Sequence, residues 1–327
     1  MRVAVLGSGH LGREHARVYA GLTGVDFVGV YDTDPAAAAA AAAYAGCAVL
    51  PSRTALLERA EAVSICVPTP AHAAEAEICI DAGLHVLIEK PITDEVEAGR
   101  RLCALARRRE TVLQVGHVER FNPAMLAASP HITRPRFVES QRLAPFGRRG
   151  SDVAVVLDLM IHDLDLVLAC VDEPVESVEA SGVAVLSGNT DIANARLRFR
   201  HGCVANLTAS RISMEKVRKI RFFQPDRYVS VDLLAGRVGA LRARAGFDPV
   251  AFQAALQRGE SPDWRDAIEP IEVAVEGAEP LQLELAAFVE CAQRGTPPLV
   301  SGEQAVRALE VAVAVEHALA AEPGCAS

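Results

Sequence analysis

Arg2-Val3-Ala4-Val5-Leu6-Gly7-Ser8-Gly9-His10-Leu11-Gly12 opens the chain as a β-branched apolar run that enters a glycine-rich turn, with a helical stretch over residues 13–22 behind it. Strand, tight turn and helix in this order form the setting that a dinucleotide-binding turn requires. The glycines allow the turn, let a pyrophosphate approach the backbone and let the helix pack closely, while the first N–H groups of the helix face the anion. Glycine spacing alone is a weak signal, and a structural turn without a ligand is the competing reading. A second apolar run, residues 25–31, ends at Asp32, about twenty residues beyond the last glycine. An acidic group there accepts hydrogen bonds from the adenosine ribose. It would also repel a 2′-phosphate, and Thr33 offers no compensating positive charge, so NAD is expected rather than NADP.

Beyond Asp32 the pattern keeps alternating. Asp34-Pro35 is a helix start, because Asp caps and Pro suits the first helical position. The alanine run 36–43 reads as a plain surface helix, since alanine is the best helix former. Strands are expected at Val49, 62–67, 85–88 and 111–115, with helices over 54–60, 71–82 and 93–109 between them. Gly83 closes its helix as a C-cap would. This predicts an α/β fold: a parallel, doubly wound Rossmann dinucleotide-binding domain over residues 1–118. Ligands bind beyond the carboxyl ends of such strands, which brings Asp32, Thr69, Lys90 and His117 into consideration. Lys90 lies between Glu89 and Pro91, so its backbone is restricted on both sides.

Composition sets limits on partners. At 327 residues the chain suits two domains, and 50% hydrophobic residues supply apolar material for both cores. A net charge of -9 argues against an electrostatic grip on nucleic acid or an anionic membrane. The eight cysteines form no CxxC pair and lie mostly in apolar runs, the usage of reduced, buried thiols and not of a disulfide frame or zinc site. A strand-like run follows Met1 at once, leaving no room for a signal peptide, and no apolar run approaches spanning length. A cytoplasmic protein with no membrane partner is expected.

After Gly116 the alternation ends, and 116–123 (Gly-His-Val-Glu-Arg-Phe-Asn-Pro) reads as the domain junction. Residues 119–327 are expected to form an α+β substrate-binding and oligomerisation domain around a large, mainly antiparallel sheet, with strands over 175–186, 192–199, 203–210, 218–223, 228–234 and 238–242. His201-Gly202 reads as a tight turn. A sheet of this kind leaves one face for packing, on which a homo-oligomer is expected to form. Residues 247–269 read as a helical or irregular excursion, 271–275 as a last strand, and 281–294 and 302–321 as two terminal helices. Residues 134–150 carry Arg134, Arg136, Arg142, Arg148 and Arg149 against a single acid, Glu139. Guanidinium groups suit a diphosphate-bearing substrate; a solvated basic loop is the alternative. Residues 153–169 are apolar enough for a buried helix, yet Asp158, His162 and Asp165 fall on one stripe of a 3.6-residue period. Such a stripe is costly unless paired, and a core histidine satisfied by a carboxylate competes with a catalytic reading.

The Gly7–Gly12 turn, Pro68-Thr69-Pro70 with His72, Glu89-Lys90-Pro91 and the Asp158-x-x-x-His162 pair together resemble the Gfo/Idh/MocA family of NAD(P)-dependent sugar oxidoreductases. Residues 116–123, with 142–166 (RLAPFGRRGSDVAVVLDLMIHDLDL), DIANARLRF, GCVANLTASR and FQPDRYVSVD, are similar to the members that oxidise UDP-N-acetylglucosamine at C3 to supply a diamino sugar for lipid A. The resemblance implies a catalytic group of Lys90, Asp158 and His162, and NAD contacts from Gly7, Gly9, His10, Leu11, Gly12, Asp32, Pro68, Thr69, His72, Glu89 and Lys90. It places Arg120 and Asn122 against the sugar or the nicotinamide, with Glu119 on the substrate side; assigning the diphosphate to the arginines of 142–149, Arg148 and Arg149 above all, is an inference from charge. The chemistry agrees: a secondary alcohol needs a base, which His162 suits, and a donor to the developing alkoxide, which Lys90 suits. The 3-oxo product would pass to a partner aminotransferase. Three rivals stand beside this reading. One is an inositol or other free-sugar dehydrogenase and one a non-catalytic NAD and sugar sensor. The third takes Asp158, His162 and Asp165 as metal ligands, although hydride transfer to NAD needs no metal and none is expected.

Overall fold

The computed structural model describes residues 1–147 and 153–321. By compactness the chain forms two units. One comprises Met1–Phe121 and Ala278–Val313; the other comprises Asn122–Gly277 and the chain from Ala314 onward.

In the first unit, β1 (Arg2–Leu6), α1 (His10–Gly21), β2 (Asp26–Tyr31), α2 (Pro35–Ala45), α3 (Arg53–Arg59), β3 (Ala62–Ile65), α4 (His72–Asp81), β4 (His85–Glu89), α5 (Val96–Arg109) and β5 (Leu113–Gly116) follow in order. Among the described residues the strands form a five-stranded parallel sheet, β2-β1-β3-β4-β5. β1, β3 and β4 are buried almost throughout, as expected of strands covered on both faces. Val49 does not extend the sheet; it makes an isolated bridge to Val30. α2 is not a plain surface helix either. Ala38, Ala41 and Ala42 are buried, so a stripe of methyl groups faces the core. The Asp34 cap is present: its side chain accepts the Ala36 N–H at 2.9 Å.

The second unit runs through α6 (Pro123–Ala128), β6 (Phe137–Leu143), a π-helical turn (Val156–Met160), α7 (Ile161–Val171), β7 (Val175–Val183), β8 (Ile192–Phe199), β9 (Val204–Ser210), β10 (Val217–Phe223), β11 (Arg227–Asp232), β12 (Arg237–Ala243), α8 (Pro249–Gln257) and β13 (Ile268–Ile271). Its described strands form an eight-stranded sheet, β13-β12-β11-β10-β6-β9-β8-β7, antiparallel except for the β6–β9 pair. Gly202, at φ +87°, makes the expected turn between β8 and β9. Two expectations need correction. The last strand lies at Ile268–Ile271 and not at 271–275. The arginine-rich segment is not all loop, because β6 sits in the middle of the sheet. Val138, Ser140 and Arg142 point inward there, and two polar inward positions conceal the alternation that marks a half-buried strand.

α9 (Pro280–Arg294) and α10 (Gly302–Ala321) end the described chain. Residues 278–313 group with the first unit and not with the second domain in which the sequence reading set them. Leu285, Phe288 and Val289 of α9 share one core with Val3, Val5 and Tyr19. Among the described residues, no helix is long and apolar enough to cross a membrane.

Candidate active site

The glycine turn is built by close approach. Gly7 has φ +93°, and a Cβ there would sit 2.7 Å from the Cys66 carbonyl group. A Cβ on Gly12 would fall 1.8 Å from the Gly7 carbonyl oxygen, so α1 can start here only from glycine. Gly9 faces open space, with nothing within 4 Å of where its Cβ would be. No side chain caps α1, which leaves its first N–H groups to an anion. His10 and Leu11, the first residues of α1, are exposed. The Asp32 carboxylate accepts the Ser8 N–H at 2.5 Å and the Asp34 N–H at 2.9 Å. Ser8 Oγ is buried with no hydrogen-bond partner. An open glycine cradle, a bare helix start, an orphaned hydroxyl and a carboxylate at the end of β2 together fit NAD.

The end of β4 is anchored from below. Glu89 is buried; its Oε1 lies 2.8 Å from Nε2 of His15, which is itself fully buried on α1, and its Oε2 accepts the Lys90 N–H at 3.3 Å. Gly116 makes room for this carboxylate, since a Cβ there would come within 3.0 Å of it. Burial pushes the Glu89 carboxyl up, but the hydrogen bond and charge of His15, with Lys90 adding to them, leave it below its ordinary range. Lys90, half-buried, therefore follows a fixed strand end. His72 is buried, with Nδ1 2.8 Å from the Pro91 carbonyl oxygen and Nε2 2.9 Å from that of Val67. Its ring ties the segment after β3 to the segment after β4, beside half-buried Thr69 and exposed Pro68. His117 and Glu119 are buried after β5, and half-buried Arg120 donates to the Leu299 carbonyl at 3.2 Å.

In the second unit the helix carrying Asp158 and His162 is not one uninterrupted α-helix. The Ile161 N–H reaches the Val156 carbonyl five residues back, and the π turn passes into α7 just before His162. This wider turn departs from the 3.6-residue period over Val156–Met160, the part of the helix that holds Asp158, whereas His162 and Asp165 lie on the regular α7. Asp158 and His162 are half-buried, whereas Asp163 and Asp165 are buried. Asp163 takes a two-pronged contact from Arg142 of β6, Nε to Oδ2 and Nη2 to Oδ1, each 2.9 Å. Arg142, a candidate for the diphosphate on sequence, is thus a buried partner of α7. Asn122 caps α6 by accepting the Ala124 N–H at 3.1 Å and donates to the Leu233 carbonyl at 3.0 Å, which engages both ends of its amide. Arg148 and Arg149 lie outside the described residues. Among the described residues, no group of three His, Cys, Asp or Glu side chains is placed to hold a metal ion.

Sequence reasoning passed over His15, Asp163, Asp191 and Arg211. His15 leaves a trace, being a polar residue in step with Gly12, Ala16 and Tyr19 on the inward face of α1.

Residues 1–117 match the model of an oxidoreductase family with an NAD-binding Rossmann fold, GFO_IDH_MocA, and residues 126–223 match the GFO/IDH/MocA C-terminal domain. The chain belongs to the Gfo/Idh/MocA family. As a Gfo/Idh/MocA protein it is an NAD-dependent oxidoreductase. Over 322 residues it is 40% identical to the UDP-N-acetylglucosamine 3-dehydrogenase of Acidithiobacillus ferrooxidans, covering 97% of each chain. The solved structure of that enzyme, GnnA, superposes with a TM-score of 0.88 at 37% identity, covering 98% of this chain and 97% of that one. The inositol 2-dehydrogenase of Rhizobium meliloti is 27% identical over 340 residues, covering 98% of this chain and 97% of that one.

Proposed function

We propose that the protein oxidises the C3 hydroxyl of a UDP-N-acetylhexosamine, UDP-N-acetylglucosamine in the first instance, to the UDP-3-oxo sugar. The observation that carries this reading is the 40% identity to a UDP-N-acetylglucosamine 3-dehydrogenase across 97% of both chains. Identity at that level over the full length includes the substrate half as well as the cofactor half.

In this reading NAD, when bound, accepts the hydride. His162 takes the proton of the C3 hydroxyl onto a ring nitrogen, and Lys90 donates a hydrogen bond from Nζ to the same oxygen as negative charge develops on it. Asp158 orients or electrostatically tunes His162. Hydride and proton both leave the carbinol, so the product is a ketone. The anchoring of Glu89 by His15 supports a fixed approach for Lys90. Glu119, Arg120 and Asn122 are proposed on the substrate side. Arg148 and Arg149 are proposed for the diphosphate, where two guanidinium groups would match its charge. A ketone at C3 next to an acetamido group suits transamination, so a partner aminotransferase would consume the product and draw an uphill oxidation forward. The 3-amino product would serve lipid A synthesis, and the setting would be cytoplasmic.

A homo-oligomer through the outer face of the eight-stranded sheet is part of the proposal. Across that face Phe137, Phe223 and Tyr228 stand side by side with ring centroids 5.6 and 5.1 Å apart, and Phe223 is 37% exposed. A partly exposed aromatic row beside charged rows suits a second copy of the same surface. Light scattering on the wild type and on Phe223→Glu tests it; a monomeric wild type removes it.

The substrate test incubates the protein with NAD, a panel of UDP-sugars, free polyols, glutamate and a suitable aminotransferase, following NADH and product mass. UDP-N-acetylglucosamine is expected to yield a 3-amino sugar nucleotide. Oxidation of a polyol such as inositol with no such product would favour the inositol reading, to which the Rhizobium meliloti relative lends some support.

A further inference from the structure

We infer that two buried arginine–carboxylate pairs, Arg142–Asp163 and Arg211–Asp191, set the π turn at Val156–Met160 and act as positioning residues for Asp158 and His162. The inference rests on the catalytic reading of those two side chains.

The π turn needs outside support. Its i→i+5 geometry is rare and persists where surrounding contacts over-determine it. The chain entering the turn is held by Arg211 of the segment after β9. Arg211 donates from Nη2 to the Val153 carbonyl at 2.6 Å and to the Thr190 carbonyl at 3.0 Å, and from Nε to Asp191 Oδ1 at 3.0 Å. The Val155 N–H donates in turn to the Thr190 carbonyl at 3.1 Å. Asp191 is a rigid base for this contact. Fully buried, it accepts the N–H groups of Val185, Leu186 and Ser187 at 2.6 to 2.9 Å and the Ser187 hydroxyl at 2.6 Å.

The chain leaving the turn is held by Arg142. Its planar fork meets both oxygens of Asp163, the residue directly after His162, and both side chains are only 4% exposed. A fork of this kind fixes direction as well as distance. Asp158 lies between the two anchors, five residues after Val153 and five before Asp163. With both ends fixed, the wider turn is confined to Val156–Met160, the span that carries Asp158. The turn that carries Asp158 and the start of the helix that carries His162 are thereby held from both ends.

The test uses charge-conserving variants that lose the fork: Arg142→Lys and Arg211→Lys, with Asp163→Glu as a second change at the exit anchor. NAD-binding stoichiometry, kcat and KM for UDP-N-acetylglucosamine are measured for each, alone and combined with Asp158→Asn. Each variant is expected to bind one NAD per chain and keep KM within about threefold, while kcat falls roughly ten- to hundredfold, as a misplaced catalytic group costs. In the Asp158→Asn background Arg211→Lys is expected to add little further loss, because it acts through the same residue. An unchanged kcat per NAD-binding chain overturns the inference. So does a fully additive loss, or failure of all three variants to bind NAD stoichiometrically, since the pairs would then be pillars of the fold alone. Full turnover in Asp158→Asn and His162→Ala overturns the catalytic reading itself, which separates that failure from one confined to the anchors.

Discussion

The backbone N–H of Ser8 donates to the Asp32 carboxylate at 2.5 Å, so the residue directly after β2 also holds the glycine turn that follows β1. Asp32 therefore has two parts to play: it shapes the turn and presents negative charge where the ribose of NAD would lie. Asp32→Ala is expected to weaken NAD binding about tenfold to a hundredfold, the range for a hydrogen bond to a charged group. Discrimination against NADP should narrow with it. Fluorescence titration with both nucleotides checks this, and an unaltered preference for NAD would count against the assignment.

Two glycines of the same turn should fail in different ways. In Gly12→Ala the methyl would meet the Gly7 carbonyl oxygen at 1.8 Å, so α1 must move and the fold should lose about 1–3 kcal/mol. In Gly9→Ala nothing lies within 4 Å, and melting without nucleotide should be nearly unchanged. The Gly9→Ala methyl instead fills the approach of a pyrophosphate, so the upward melting shift produced by NAD should shrink. Native-like NAD binding by Gly9→Ala would remove that glycine from the site.

Lys90→Ala and His162→Ala are expected to lower turnover by about 10²- to 10⁴-fold, the range for loss of a positioned proton donor or acceptor. NAD affinity should stay within a few-fold in His162→Ala, since that residue is assigned to the substrate side. Steady-state kinetics beside direct NAD titration separates the two quantities. A loss of NAD binding in His162→Ala would contradict its role.

Asp191 makes a pH prediction. Burial pushes its carboxyl up, but the Ser187 hydroxyl and the N–H groups of Ser187, Leu186 and Val185 more than offset this and hold it below the ordinary range. A carboxyl depressed in the folded state contributes stability that is complete above its unfolded value, about 3.9, and is lost as pH falls toward the folded value. Asp191→Asn should therefore unfold about 3–5 kcal/mol more easily near pH 7, because it also leaves Arg211 buried without its carboxylate. The gap from wild type should begin to narrow as pH drops below about 4 and go on narrowing toward the folded value. Urea titrations at pH 7 and pH 3.5 measure it, and a gap that stays constant would refute the linkage.

Much of the first unit was legible because its signals are local. Gly7, Gly9, Gly12 and Asp32 lie within a single βαβ unit, where Gly12 packs on the Gly7 carbonyl and Asp32 accepts the Ser8 N–H; only the approach of Cys66 to Gly7 comes from farther along the chain. The Asp34 cap and the Gly83 turn, at φ +85°, are local in the same way. The Glu89-Lys90-Pro91 stretch could be recognised as restricted, but its anchor could not. His15 lies 74 residues from Glu89, and an inward polar residue on an amphipathic helix does not name its partner.

The sequence by itself determined the order of strand, turn and helix in the dinucleotide half, the choice of an acidic residue at Asp32, and the presence of a second, sheet-rich half. Tertiary structure decided the rest. β6 was hidden because Arg142 faces inward, which is tolerable only with Asp163 opposite it, 21 residues away. α9 carries an apolar face that demands a core without saying which, and it joined Val3 and Tyr19 instead of the sheet that precedes it in the chain. The π turn was invisible for the same reason. A sequence period reports the helix a segment would form alone, whereas the helix at Asp158 is shaped by contacts from β6 and from the segment after β9, and these exist only once the chain has folded.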